Sequence, residues 1–562
     1  MRLKKILPVV LVLCMFLPVF MVNGVQNTTP VNTVKPSSES SVGVVAGDTL
    51  YYTIDQFDMP DIYFENLETY ENVTINEADI AGNKIYFKVM HVDDSYTADP
   101  ITYPTEPFVR FGVGIQFTKD ISITIGSGVE EVTIVLPDGG ATPAMGVGGI
   151  PKFNISNPEG PAIFCLSDDY AAHEEFFDVF PVDVTVTNNA DVFNVLLENT
   201  TTGGMIEANY RKSDGVLTHF LVDNFYATGF MNATGIVAEL NLDEKVYRPL
   251  PVSVGDTITL NAEIADIVLE GTGDLYDEIN QTEYTSVQNE LDILESETVF
   301  KFVVDDVEGL YYLCSIYQYD MEEQELTKMY GQTHFTGFLG FIGDVSSPFY
   351  GTFFSPRDFM NPDFFGSLLA SYNVWPAFAP AMTPDWDIYQ GEALLVDTAM
   401  SVYLDDFLEL EGPPEDEMII NSAEMTMGFT ESRGYYFMTA SMNVDMELNV
   451  SAMMDVPRQE AYTNGSKVVG SMEMYTGYSS GGIIASARMQ MDMDMETYGI
   501  EGGTAPPSGT MNIDMDMKLV NPQYDPPEPG QGGFIPGFTW LISLPALFAV
   551  ALAATIIRKR KA

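Results

Sequence analysis

The chain has 562 residues and a net charge of −56, with 81 acidic against 25 basic residues. A surface that negative repels nucleic acid and anionic lipid, which excludes nucleic-acid binding by the body of the protein. Hydrophobic residues make up 46% of the chain and aromatic residues 12%, enough for sizeable cores, and at ~100–200 residues per domain the length suggests about two to four domains.

The first 24 residues read as an export signal. Arg2, Lys4 and Lys5 precede an uncharged apolar run from Ile6 to Val22, and Val22-Asn23-Gly24 offers a cleavage site. Pro8 and Pro18 interrupt the run and disfavour a retained signal anchor. Leu13 stands before Cys14 where a lipoprotein signal requires a small residue. A polar linker, 25–44, follows.

The fold expected next is mainly β, built as two tandem, related antiparallel β-sheet units with few short helices. Alternation of apolar and polar residues predicts half-buried strands over Ile121–Leu136, Asp183–Leu197 and Ala440–Val450. The units, 45–248 and 250–520, share four landmarks in the same order. Val45-Ala46-Gly47-Asp48-Thr49 matches Ser253-Val254-Gly255-Asp256-Thr257, and Lys84–Val89 matches Thr298–Val303. The turn after Tyr210 matches the turn after Tyr478. A closing strand, Gly235–Leu242, matches Gly509–Met517. The second unit carries an aromatic, Pro-rich insertion at about 333–386. Helices are predicted over Asp168–Val179, with Ser167 as N-cap, over Asp363–Tyr372 and over Gln281–Leu294.

No catalytic constellation emerges. His91, His173, His219 and His334 form no metal-ligand pair at helical spacing. No nucleophile elbow, phosphate-cradling loop or dinucleotide fingerprint is present. Asp492–Glu496 resembles a calcium loop only in part, since Thr497 stands where that loop needs Gly. The expectation is no enzyme and no cofactor, with weak Ca²⁺ binding by clustered carboxylates as the one cation reading. Cys165 and Cys314 are expected as buried free thiols, because two cysteines in so long a chain make no disulfide framework.

Methionine is the compositional anomaly: 18 of the 30 lie between Met400 and Met517. Met489, Met491, Met493 and Met495 alternate with Asp492, Asp494 and Glu496, and Met511, Met515 and Met517 alternate with Asp514 and Asp516. A period of two puts thioethers on one sheet face and carboxylates on the other. Three uses fit: an adaptable core, an apolar ligand face that repacks, or a soft-metal site for Cu(I).

Sequons at Asn27, Asn72, Asn154, Asn199, Asn232, Asn280, Asn449 and Asn464 are candidate glycosylation sites on an exported chain. After a Pro/Gly linker, 521–533, the segment 534–557 is uncharged and apolar. As a helix it reaches ~36 Å, enough to cross a bilayer core of ~30 Å. The basic tail 558–562 follows, which places the body outside the cell.

Pro536-Gly537-Phe538, then an apolar helix, then a basic cluster resembles the PGF-type C-terminal sorting signal of archaeal surface proteins. The resemblance implies recognition by an archaeosortase, cleavage near the motif and transfer to a membrane lipid. A plain transmembrane anchor is the alternative. Expected partners are therefore the export machinery and the membrane, reached through the helix or a lipid. The expected role is a membrane-anchored extracellular binding or structural protein of the cell envelope. A carrier or sensor of hydrophobic ligands is the alternative, and a secreted hydrolase comes third.

Overall fold

The computed structural model describes residues 42–58, 63–64, 73–75, 77–93, 108–125, 132–142, 145–149, 164–178, 183–199, 203–227, 231–273, 291–295, 297–320, 324–338, 340–344, 379–395, 397–398, 418–449, 464–499 and 509–529. The expected signal segment 1–24, the predicted helix Asp363–Tyr372 and everything from 530 onward lie outside them.

The chain is mainly β and its sheets are antiparallel. In chain order the first strands are β1 (Asp48–Asp58), β2 (Tyr63–Phe64), β3 (Val73–Ile75), β4 (Lys84–Asp93), β5 (Phe108–Gln116), β6 (Ile121–Ile125), β7 (Val132–Leu136) and β8 (Met145–Gly149). Then come β9 (Asp183–Asn188), β10 (Val192–Asn199), β11 (Gly204–Arg211), β12 (Val216–Ala227) and β13 (Met231–Tyr247). The later strands are β14 (Thr257–Gly273), β15 (Thr298–Glu308), β16 (Tyr311–Asp320), β17 (Glu325–Thr336) and β18 (Gly340–Asp344). Last come β19 (Met418–Ser432), β20 (Tyr435–Asn449), β21 (Asn464–Ser479), β22 (Ile484–Gly499) and β23 (Gly509–Val520).

The first large sheet runs β8-β5-β4-β1-β13-β12-β11-β10-β9, with β2 beside β13. The second runs β18-β17-β16-β15-β14-β23-β22-β21-β20-β19. Each therefore places its first long strand next to its last, with intervening strands stepping outward on both sides. A small sheet, β3-β6-β7, stands apart. The strands expected over Ile121–Leu136 are the paired β6 and β7, and those over Asp183–Leu197 are the paired β9 and β10.

Matching turns open the central strands. Gly47 and Gly255 have φ of 99° and 92°, a left-handed conformation that favours glycine. The Asp48 carboxylate accepts from Val45 N at 2.9 Å, and the Asp256 carboxylate accepts from Ser253 N at 2.8 Å. Gly47 N donates to Val89 O, and Gly255 N donates to Val304 O. Matching segments also cap the two sheets. Cys165 bridges Val216, and Ala381 bridges Ile483. Leu166 N donates to Gly215 O, while Met382 N donates to Gly482 O, both at 2.8 Å.

Each capping segment leads into a helix, after α1 (Glu77–Ile80) earlier in the chain. Helix α2 spans Tyr170–Asp178, and α3 spans 386–395. Helix α2 starts later than expected and Ser167 is not its cap. Asp169 accepts from Ala172 N at 3.2 Å, whereas Ser167 Oγ lies 3.3 Å from His173 Nε2. Of the helix expected over Gln281–Leu294, residues 291–294 are helical and 281–290 lie outside the described residues.

Strands β1 and β4 are buried on both faces. One face gives Leu50, Tyr52, Ile54, Ile85, Phe87 and Val89 to the core of the first sheet. The other gives Tyr51, Tyr86 and Met90 to a core shared with the second sheet, among Tyr312, Phe338, Ile388 and Tyr389. Leu310 N donates to Met90 O at 2.8 Å, so backbone as well as side chains join the two sheets.

Candidate functional site

Two features go beyond ordinary packing: a polar knot between the sheets, and the methionine face of the second sheet.

The knot forms where α3 meets β1 and β4. Lys88 and Asp385 are both fully buried and pair at 2.8 Å. Arg248 Nη1 reaches Asp385 Oδ1 at 3.0 Å and Asp387 Oδ1 at 2.6 Å. Lys88 Nζ also donates to Gly47 O and to Thr49 Oγ1, and the hydroxyls of Thr49 and Thr383 donate to Asp385. Tyr51 OH donates to Asp387 Oδ2 at 3.1 Å. Burial pushes the Lys88 pKa down, opposed by Asp385. Burial would also lower Arg248, but Asp387 and Asp385 outweigh it and hold the guanidinium firmly charged. Burial, then Asp387, keeps the Tyr51 phenol protonated. Two cations face two carboxylates, and the surrounding hydroxyls and the Gly47 carbonyl take up further hydrogen bonds of Lys88 and Asp385, which suits a fastener better than a reacting centre.

Sequence reasoning missed this knot. Its signal was a lysine inside the apolar run Ile85–Met90, where an unpaired charge is too costly to bury. Nothing in the local sequence named Asp385, almost 300 positions away, as the partner.

The methionine face is set by register. Met442 stands opposite Met472, Met472 opposite Met491, and Met491 opposite Met515. In the adjacent row Met474 stands opposite Met489, and Met489 opposite Met517. Directly opposed residues share a face, with Cβ atoms ~4.5–5.5 Å apart. Met442, Met474, Met489, Met491, Met515 and Met517 are half-buried, and Met472 is buried.

These rows lie between two packed regions of the same face. At one end Trp386 of α3 stacks on Tyr436 with ring centroids 4.5 Å apart, near Tyr478 and Met438. At the other, Met493, Met495, Met511 and Ile513 pack with Leu269 and Val468. The seven methionines named from sequence thus divide: Met493, Met495 and Met511 are buried, whereas Met489, Met491, Met515 and Met517 are half-buried, Met491 packing against the far cluster and Met517 against the one around Trp386.

The opposite face is acidic. Asp492, Asp494, Glu496 and Asp514 are exposed, and Asp516 is held by Arg488 at 2.6 Å. Asn512 Nδ2 donates to Asp492 and Asp494. A groove of about 740 Å³ opens near the far end, lined by Glu270, Lys467, Asp494, Glu496 and Asn512 among others. Its mixed charged walls and width give no enclosed seat.

Among the described residues no group of three or more His, Cys, Asp or Glu side chains could hold a metal ion. Cys165 and Cys314 are free and buried, and burial raises the Cys314 thiol to about 12. Of the sequon asparagines, Asn199 is exposed at the end of β10, and Asn232, Asn449 and Asn464 lie on β13, β20 and β21. Asn27, Asn72, Asn154 and Asn280 lie outside the described residues. So do Pro536, Gly537, Phe538 and the segment 534–557. Among the described residues no helix is long and apolar enough to cross a membrane.

No family model matches the chain, and no curated relative matches it. Among solved structures, OccAB4 of Acinetobacter baumannii aligns over 85% of this chain and 99% of its own, at 8% identity and a TM-score of 0.11. A score that low carries no argument about fold or function.

Proposed function

We propose that this protein is an exported, membrane-tethered, non-catalytic binding protein of the cell envelope, which holds an apolar ligand on the methionine face of its second sheet. One observation carries the reading: six half-buried methionines are gathered in adjacent rows on a single sheet face, bordering two well-packed regions. Packing alone does not call for methionine there. On β14–β16 the same sheet fills its core positions with Ile258, Leu260, Phe300, Phe302, Val304 and Ile316, the branched and aromatic residues that strands favour, whereas on β21–β23 methionine takes the half-buried rows and also the buried positions Met472, Met493, Met495 and Met511. Flexible thioethers instead suit a surface that must repack around a flexible guest.

The export signal and the C-terminal segment support the location, with sortase-type processing at Pro536-Gly537-Phe538 as the route to a lipid anchor. The shared strand order, the paired Gly-Asp turns and the paired capping segments support descent of the two units from one duplicated sheet. In that reading the second copy acquired the methionines, since β10–β13 carry Phe193, Val195, Ala208, Val222 and Leu240 at core positions.

The test is titration of delipidated, metal-free full-length protein with a polarity-sensitive apolar fluorophore. Wild type should saturate, Met491→Glu should lose binding, and Asp492→Asn on the opposite face should retain it. Equal binding by wild type and Met491→Glu would remove the methionine face from the account.

A further inference from the structure

We infer that the grid formed by Met472, Met491 and Met515 with Met474, Met489 and Met517 is a binding site for a soft monovalent cation, Cu(I) or its redox-stable stand-in Ag(I). The inference shares a face with the apolar-ligand reading but does not rest on it.

Register carries the argument. Three neighbouring strands, β21, β22 and β23, each place a methionine in both of two adjacent rows. Opposed Cβ atoms are ~4.5–5.5 Å apart, and diagonal neighbours lie within reach of long side chains. The unbranched side chain, with three rotatable bonds, lets three sulphurs from one row turn toward a common point. Thioether donors select Cu(I) over the harder divalent ions, which prefer imidazole or carboxylate.

Surroundings favour the ion as well. Five of the six methionines are half-buried and so reachable, Met472 is buried beneath the row, and the buried Met493 and Leu519 follow on the same strands at either end. Asp492 stands opposite Asp514 on the other face of the same strands, so the sheet presents a negative field to any cation approaching it. Thioethers carry no proton to displace, whereas thiolate, imidazole and carboxylate ligands must be deprotonated before they bind. Affinity should therefore be flat across roughly pH 5 to 8.

The experiment titrates full-length protein in detergent with Cu(I), kept reduced and buffered by a chromophoric chelator, and repeats the titration with Ag(I). Wild type should withdraw Cu(I) from the chelator without pH dependence and ignore Zn²⁺. The double variant Met489→Leu/Met491→Leu should bind roughly tenfold or more weakly, at least the scale lost when only a metal's outer-shell partners are removed. The variant keeps Cys165 and Cys314, so copper held by those thiols would persist unchanged. Equal affinity in wild type and variant, affinity that climbs with pH, or no uptake at all would each overturn the inference. The apolar fluorophore is measured on metal-free protein and Cu(I) on delipidated protein, so either reading can fail alone.

Discussion

Lys88 on β4 and Asp385 at the start of α3 meet at 2.8 Å with neither side chain exposed. Lys88 belongs to the first sheet and Asp385 to the segment that caps the second, so this ion pair is part of what holds the two halves together. Removing one partner leaves the other charge buried and uncompensated. Asp385→Ala should therefore cost about 3–5 kcal/mol in equilibrium denaturation. Lys88→Met/Asp385→Leu should recover much of the loss, because apolar replacement of a whole buried pair is often near neutral. A double variant no more stable than Asp385→Ala would show that the pair is not the unit that matters.

Two glycines test the equivalence of the capping segments. A Cβ on Gly215 would sit 2.0 Å from Leu166 O, and one on Gly482 would sit 1.9 Å from Met382 O, with φ of 67° and 93°. Alanine at either position must push back the backbone of the segment whose N–H the glycine's own carbonyl accepts, Leu166 or Met382, and each should cost more than ~3 kcal/mol. Gly434 has φ of 78° but open space around it. Gly434→Ala should lose only the conformational penalty of ~1–2 kcal/mol. Thermal melts of the three variants check the order.

Acid sensitivity should trace partly to Asp214. Burial alone would raise its carboxyl, but Arg211, bonded to both oxygens, outweighs burial and holds its pKa below the ordinary 3.8. A lowered carboxylate pKa stabilises the fold above the unfolded value, and the gain is lost as pH falls from 3.8 through the folded value. Asp214→Asn should be less stable than wild type near neutrality, and the gap should close at the acid end of that window. Urea midpoints taken as a function of pH would show it. A gap that stays constant would assign the Asp214 contribution to something other than its charge.

Truncations along the methionine face should separate packing from the open rows. Met511 is buried in the far cluster, so Met511→Ala should cost about 2–5 kcal/mol. Met491 is half-buried at the edge of that cluster, and Met491→Ala should cost clearly less, on the order of 1 kcal/mol. Comparable losses at both positions would mean that the rows are closed core.

Much of the fold was legible in the sequence because its determinants are local. Period-two alternation marks β20, β22 and β23 directly, and Gly47-Asp48 and Gly255-Asp256 announce the two turns. Helix α2 was visible in outline but not its start, because Ser167 and Asp169 are both competent caps and only packing against His173 decides between them. The methionine face was legible as a face. Its division into sealed and half-open rows was not, because that depends on where α3 lands and on which residues stand opposite across strands. The Lys88–Asp385 knot was beyond reach for the same reason: a buried charge can be suspected locally, but its partner is a matter of tertiary structure.

Where an apolar guest lies decides the role of the methionine face most directly. Full-length protein would be labelled with a photoactivatable acyl probe and the adducts mapped by peptide mass spectrometry. Adducts concentrated on Met442, Met489, Met491, Met515 and their strand neighbours, and suppressed by excess lipid extract, are the predicted result. Adducts spread over both faces, or indifferent to competing lipid, would contradict a ligand seat on the methionine face.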